Sequence, residues 1–176
     1  MIVPSSGRVL RTVVTPEQIT TEIQRLAGEI TTDYAGRHLH LLVVLKGAFI
    51  FAADLVRRID LPITLDFIRV ASYCGTKSSG GINLASTPEQ SLRGQDVLIV
   101  EDILDTGLSL DFLMKSLSTH QPRTIRSCVL ISKNVTRRVA VEPDYCGFSC
   151  SSGFLVGYGL DCDEQFRNLP GIYELG

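Results

Sequence analysis

The 176-residue sequence has no run of Lys and Arg, and its formal net charge of −2 and pI near 5.9 leave no basic footprint for nucleic acid. It also lacks an uninterrupted apolar segment long enough to span a bilayer. The longest apolar stretch, LHLLVVLKGAFIFAADLV, is broken by Lys46 and Gly47, and the first residues, MIVPSSGRVL, carry no apolar signal-peptide core. A cytoplasmic protein without a membrane partner is expected. The five cysteines, at 74, 128, 146, 150 and 162, form no Cys-x-x-Cys pair and read as free thiols in a reducing compartment. A metal site at Cys146, Cys150 and Cys162 has the wrong spacing and no histidine nearby. Neither G-x-x-x-x-G-K-[ST] nor G-x-G-x-x-G occurs, which excludes the ordinary nucleoside-triphosphate loop and the dinucleotide fingerprint.

What is present suits one globular domain over residues 1–176. A chain of this length buries about 70% of its unfolded surface and needs no disulfide or metal staple. Apolar residues at 19, 23, 26 and 30 form the stripe of an amphipathic helix, with Thr15 and Pro16 as its N-cap and first helical residue, and the chain turns at Gly36. LHLLVVL reads as a strand covered on both faces, and AFIFAADLVRRI as the next helix. ITLDFIRVASY, DVLIVED, TIRSCVLIS and YCGFSC read as further strands, with a helix in LSLDFLMKSLSTH and a shorter strand in GFLVGYGLD. CGTKSSGGINLASTPEQSLRG has no apolar period and reads as a long mobile loop. Alternating apolar strands and helices imply a parallel sheet flanked by helices, with ligands bound beyond the carboxyl ends of its strands.

One such end is the stretch VLIVEDILDTGLSL, residues 97–110, where a buried strand ends in Glu101 and Asp102 and is followed by Asp105, Thr106, Gly107 and Ser109. Adjacent side chains on a strand point to opposite faces, so the two acids converge on one ligand only if the chain is already turning there. A helix start offers free amides and a positive dipole to a phosphate, Gly107 permits close approach, and Thr106 and Ser109 add hydroxyl donors. A carboxylate at Asp105 opposes an anion, which points to proton chemistry. The plainer reading makes the acids helix caps in a solvated turn.

The stretch resembles the phosphoribosyl-diphosphate motif of the type I phosphoribosyltransferases. VVLKGAF, ASYCG, LISK, GFLVGYGLD and FRNLP resemble the hypoxanthine/guanine branch in the same order, over nearly the whole chain. The resemblance implies that family's parallel sheet, with a small hood from the chain's two ends over the base site. It implies transfer of 5-phosphoribosyl from its 1-diphosphate to hypoxanthine or guanine, with Mg²⁺, in a homodimer or homotetramer.

The same resemblance assigns residues. Glu101 and Asp102 would hold the ribose hydroxyls and Mg²⁺. Residues 105–109, including Leu108, would bind the 5′-phosphate, and Asp105 would be the general base toward purine N7. Lys46 and Gly47 would form the diphosphate turn, in the family often with a non-proline cis peptide. Lys133 would meet O6, Phe154 would stack on the base, and the backbone of Leu155 would read its edge. Asp161 would join the base, Mg²⁺ and pyrophosphate region with Arg167. Ser72 and Tyr73 would close as a lid hinged on Gly75, Gly80 and Gly81. Two departures stand out: SCSSGF is small and neutral where relatives carry a proline and a charge, and Leu108 is often polar in relatives. A nucleotide-sensing RNA-binding regulator would require a basic face and gives Asp105 and Lys133 no task. A phospho-receiver domain would place VLIVED at the chain start, with a lysine well downstream.

Overall fold

The computed structural model describes residues 9–72, 82–84, 88, 90–136, 138–150 and 153–176. Helix α1 (Pro16–Asp33) starts as its sequence dictates. Thr15 Oγ1 accepts the Gln18 amide at 3.3 Å while the Gln18 side chain accepts the Thr15 amide at 2.8 Å, a reciprocal capping box. Its stripe of Ile19, Ile23, Leu26 and Ile30 is buried, and Gly36 turns the chain with φ +72°.

Strands β2 (Leu39–Leu45), β3 (Ile63–Ser72), β5 (Asp96–Leu104), β6 (Thr124–Lys133) and β7 (Tyr145–Cys150) are parallel, in the order β3-β2-β5-β6-β7. Their unbroken apolar runs follow from burial on both faces. Leu39, Leu41, Val43, Leu98 and Val100 face the core under α1 and α2 (Phe49–Val56). Leu42, Val44, Val97 and Ile99 face Leu110, Leu113 and Leu117 of α3 (Leu108–Ser118). Each such side chain contributes ~1.5–3 kcal/mol on leaving water.

Two expectations need correction. The stretch read as a featureless loop after β3 contains β4 (Ile82–Leu84), antiparallel to β3 through Ser72↔Ile82 and Val70↔Leu84. Three residues are too few for an alternation to stand out against the Gly and Ser around them. The strand expected over 153–161 is only β8 (Leu155–Val156), because Gly157 and Gly159 bend the backbone with φ +97° and +100°. β8 joins β1 (Leu10–Val14) and β9 (Ile172–Leu175) in a separate antiparallel sheet, order β1-β9-β8, around Leu10, Val156, Phe166 and Tyr173. This is the hood, built from both chain ends. The Tyr158 hydroxyl ties it to the Asp54 carboxylate in α2.

Strand order reverses between β2 and β5: β2 leads outward to β3, whereas β5 leads the other way to β6 and β7. The carboxyl ends of β2 and β5 therefore flank the crevice where ligands bind in open parallel sheets.

Candidate active site

The β2–α2 turn lies on one side of the crevice. The non-proline cis bond there joins Leu45 to Lys46, one residue ahead of the Lys46–Gly47 bond. A Cβ on Gly47 would fall 1.7 Å from Asp102 Oδ2, so any other residue here would have to displace the Asp102 carboxylate. The hood loop closes the other side, where a Cβ on Gly159 would lie 2.1 Å from the Gly47 carbonyl oxygen.

Pairing of β5 with β6 runs through Leu104, so the chain is still extended at Glu101 and Asp102, yet both acids line one cavity, and the bend expected from the sequence is not what lets them share it. Asp102 also faces the Gly47 turn. A cavity of about 230 Å³ at the end of β5 is lined by residues 101–107, Ser109 and Leu110. Both acids are held above the usual carboxylate range. Burial, reinforced by the Asp102 charge, lifts Glu101 to about 8. Burial lifts Asp102 to about 6 against the opposing pull of backbone amides and Arg167. Glu101 Oε2 is buried and has no hydrogen-bond partner among the described residues. A desolvated carboxyl with an unpartnered oxygen, as at Glu101, is costly unless a cation or a hydroxyl donor arrives, whereas Asp102 already accepts from the backbone amides of Asp102 and Ile103.

The start of α3 settles the capping question. Its N-cap is Gly107, at φ +81°, which supplies no side-chain oxygen to the first-turn amides. The acids are therefore not its caps, and the first turn, left without a side-chain cap, borders the cavity through Gly107, Ser109 and Leu110 as an anion-receptive end. Gly107 is enclosed: a Cβ there would meet Val141 Cγ1 at 2.8 Å and Val139 Cγ2 at 3.0 Å. The Arg138 amide donates to the Thr106 carbonyl at 3.0 Å, fixing the loop from behind. Above it, Asp105 Oδ2 lies 3.4 Å from Lys133 Nζ, which the end of β6 delivers with its side chain only 14% exposed.

In the hood loop, Arg167 Nη2 pairs with Asp161 Oδ1 at 2.8 Å, while its Nη1 donates to the Gly159 carbonyl at 2.7 Å. Glu164, which the sequence reading did not single out, contacts Lys46 Nζ at 2.7 Å and Arg167 Nη2 at 3.1 Å. The Lys46 ammonium, with Arg167, holds the Glu164 carboxyl below its ordinary range. Its only signal in the sequence is a charge midway between Asp161 and Arg167. Phe154 is 53% exposed, unusual for a large apolar ring, while Leu155 is buried and pairs with Glu174 in β9. Ser72 ends β3, but its side chain and Tyr73 lie outside the described residues, as do Gly75, Gly80 and Gly81. Among the described residues, no group of three or more His, Cys, Asp or Glu side chains is arranged to hold a metal ion.

An uncapped helix start at the switch point of a parallel sheet, beside desolvated acids and a charged hood loop, suits a polar ligand that carries an anionic group. The family model for the phosphoribosyl transferase domain matches residues 13–163, and the chain belongs to that family. It is 42% identical over 173 residues to the hypoxanthine-guanine phosphoribosyltransferase of Mycobacterium avium, covering 94% of this chain and 85% of that one. The crystal structure of a hypoxanthine-guanine phosphoribosyltransferase from Bacillus anthracis superposes with TM-score 0.89 at 37% identity, covering 96% of this chain and 98% of that one. Hypoxanthine phosphoribosyltransferase of Trypanosoma cruzi, solved in complex with the product IMP, gives TM-score 0.88 at 39% identity, covering 94% and 93%.

Proposed function

We propose that this chain transfers the 5-phosphoribosyl group of 5-phospho-α-D-ribose 1-diphosphate to N9 of hypoxanthine or guanine, giving IMP or GMP and pyrophosphate. The relatives' activity supports this purine-salvage reading. The observation that carries it is the Asp105–Lys133 pair, 3.4 Å apart above the start of α3. A 6-oxopurine presents O6 and N7 as neighbours on one edge, so one ammonium and one carboxylate at that separation address both.

The amides of residues 105–109 and the hydroxyls of Thr106 and Ser109 hold the 5′-phosphate at the positive end of α3. The sugar hydroxyls donate to Glu101, whose Oε2 has no partner among the described residues, and to Asp102, relieving the desolvation that lifts both groups. Lys46, the Gly47 amide and Arg167 face the diphosphate. Phe154 stacks on the purine, and the backbone of Leu155 reads its edge. Lys133 donates to O6, which adenine's amino group cannot replace as an acceptor. As the C1–diphosphate bond breaks and the N9–C1 bond forms, Asp105 takes the proton from N7. The cation-like sugar has to be kept from water, the task this reading gives to Ser72 and Tyr73.

The donor set suits Mg²⁺, a hard cation bound through one or two carboxylates and substrate oxygens rather than an all-protein cage. Glu101 and Asp102, with Asp161 at the edge, would hold it, and when bound it neutralises charge on the leaving diphosphate. The protein works in the cytoplasm as a homodimer or homotetramer. Among the described residues no helix is long and apolar enough to cross a membrane. The regulator reading draws no support from the relatives, which are named as enzymes.

Incubating the purified chain with the ribosyl donor and each of hypoxanthine, guanine, xanthine and adenine, with and without Mg²⁺, tests the proposal. Nucleotide should form from hypoxanthine or guanine, require Mg²⁺, and not form from adenine. Equal turnover of adenine, or none of the 6-oxopurines, contradicts it.

A further inference from the structure

Lys46 and Arg167, the two cations assigned to the diphosphate, are already joined to one side chain. Glu164 bridges them, with Oε1 2.7 Å from Lys46 Nζ and Oε2 3.1 Å from Arg167 Nη2. The position is fixed by the turn that carries it. Asp163, Glu164 and Phe166 have φ of +52°, +62° and +74°, and Cys162 and Gln165 exchange backbone hydrogen bonds at 3.2 and 3.0 Å. The Glu164 amide also donates to Asp161 Oδ2 at 2.9 Å. A turn that holds three non-glycine residues at positive φ, in a region L-residues enter at a cost, commits its side chains to particular places.

The charges in this cluster cancel: Lys46 and Arg167 face Asp161 and Glu164. A carboxylate that spans two cations makes the contact pattern of a phosphoryl group with two oxygens. The cations are not equally held. Arg167 is 19% exposed and keeps Asp161 Oδ1 and the Gly159 carbonyl whether or not Glu164 stays. Lys46 is 48% exposed and Glu164 63%, and Glu164 is the ion-pair partner of Lys46 among the described residues. Exchange therefore falls on the Lys46 arm, where a half-exposed pair is weak and yields to a more highly charged anion.

We propose that Glu164 is a built-in placeholder anion. Its carboxylate occupies Lys46 and the outer edge of Arg167 in the free protein, gives way to the diphosphate group, and recaptures Lys46 as pyrophosphate departs. Glu164 is a positioning residue that lowers affinity for pyrophosphate and so favours its release. The inference rests on the diphosphate role given above to Lys46.

Calorimetric titration of the full chain with inorganic pyrophosphate in excess Mg²⁺ tests it, using the wild type, Glu164→Gln, Lys46→Ala and the double variant, each first checked for an unchanged melting profile. Glu164→Gln keeps the side chain's size and removes its charge. It should tighten pyrophosphate binding roughly two- to five-fold, the worth of a partly exposed ion pair, and that gain should vanish in the Lys46→Ala background. If Lys46→Ala weakens binding while Glu164→Gln leaves it unchanged or weaker, Glu164 is no competitor and the inference is overturned. If Lys46→Ala binds pyrophosphate as the wild type does, the diphosphate role of Lys46 itself falls, and the inference with it.

Discussion

Asp105 and Lys133 touch each other across the end of the sheet, yet their assigned tasks differ, so their variants separate. Asp105→Asn retains the shape of the side chain but cannot accept the N7 proton. Turnover should fall by roughly 10²-fold or more while binding of the ribosyl diphosphate is nearly unchanged, as steady-state kinetics would show. Unchanged turnover would remove Asp105 from the general-base role. Lys133→Ala removes a charged donor to O6, and kcat/KM for hypoxanthine should drop about 10- to 100-fold, the worth of a charge-assisted hydrogen bond of ~1.5–3 kcal/mol. The same variant should leave the Michaelis constant for the ribosyl diphosphate within a factor of about 2, since the role proposed for Lys133 is toward the base and not toward the ribosyl donor.

The element proposed to hold the phosphate is the junction of β5 with α3, where Gly107 is both the N-cap and a residue at φ +81° with Val139 and Val141 packed against it. Gly107→Ala meets two penalties, the left-handed conformation at ~1–2 kcal/mol and a methyl group inside contact distance of both valines. Thermal unfolding should show a loss of about 1–3 kcal/mol, and IMP should bind more weakly because the amides shift. A variant as stable as the wild type that also binds IMP normally would show that the turn is not held in this way.

Elements of this kind were legible in proportion to how local their causes are. Helix α1 could be read from a cap, a proline and a 3.6-residue stripe, and β2 and β7 appear at the bounds their apolar runs suggest. The hood was not legible strand by strand. β8 has two residues and β9 four, and β1 pairs with β9 from the far end of the chain, through Leu10↔Leu175. Within the site, Asp105, Thr106 and Gly107 announce themselves through their setting at a strand end. The fit of Gly47 against Asp102, of Gly159 against Gly47, and the bridge made by Glu164 depend on segments that meet only in the folded chain.

For the molecule as a whole, His40 should govern part of the acid stability. It lies wholly buried in β2, with Nδ1 2.8 Å from Thr64 Oγ1 and Nε2 without a partner among the described residues. Burial, its largest influence, depresses its pKa below the ordinary value of 6.5. Between the folded and unfolded values the unfolded chain binds the extra proton, so stability is present above about pH 6.5 and declines as pH falls below it. The melting temperature should therefore drop between pH 7 and pH 5, and His40→Gln, which cannot titrate, should show a shallower drop. Parallel curves for the two proteins would assign the acid sensitivity elsewhere.

The account as a whole depends on where one phosphorus atom sits. A crystal structure of the chain with IMP should place the 5′-phosphate against the amides of residues 105–109, with O6 toward Lys133 and N7 toward Asp105. A phosphate bound anywhere else, or a purine with O6 turned away from Lys133, would contradict it.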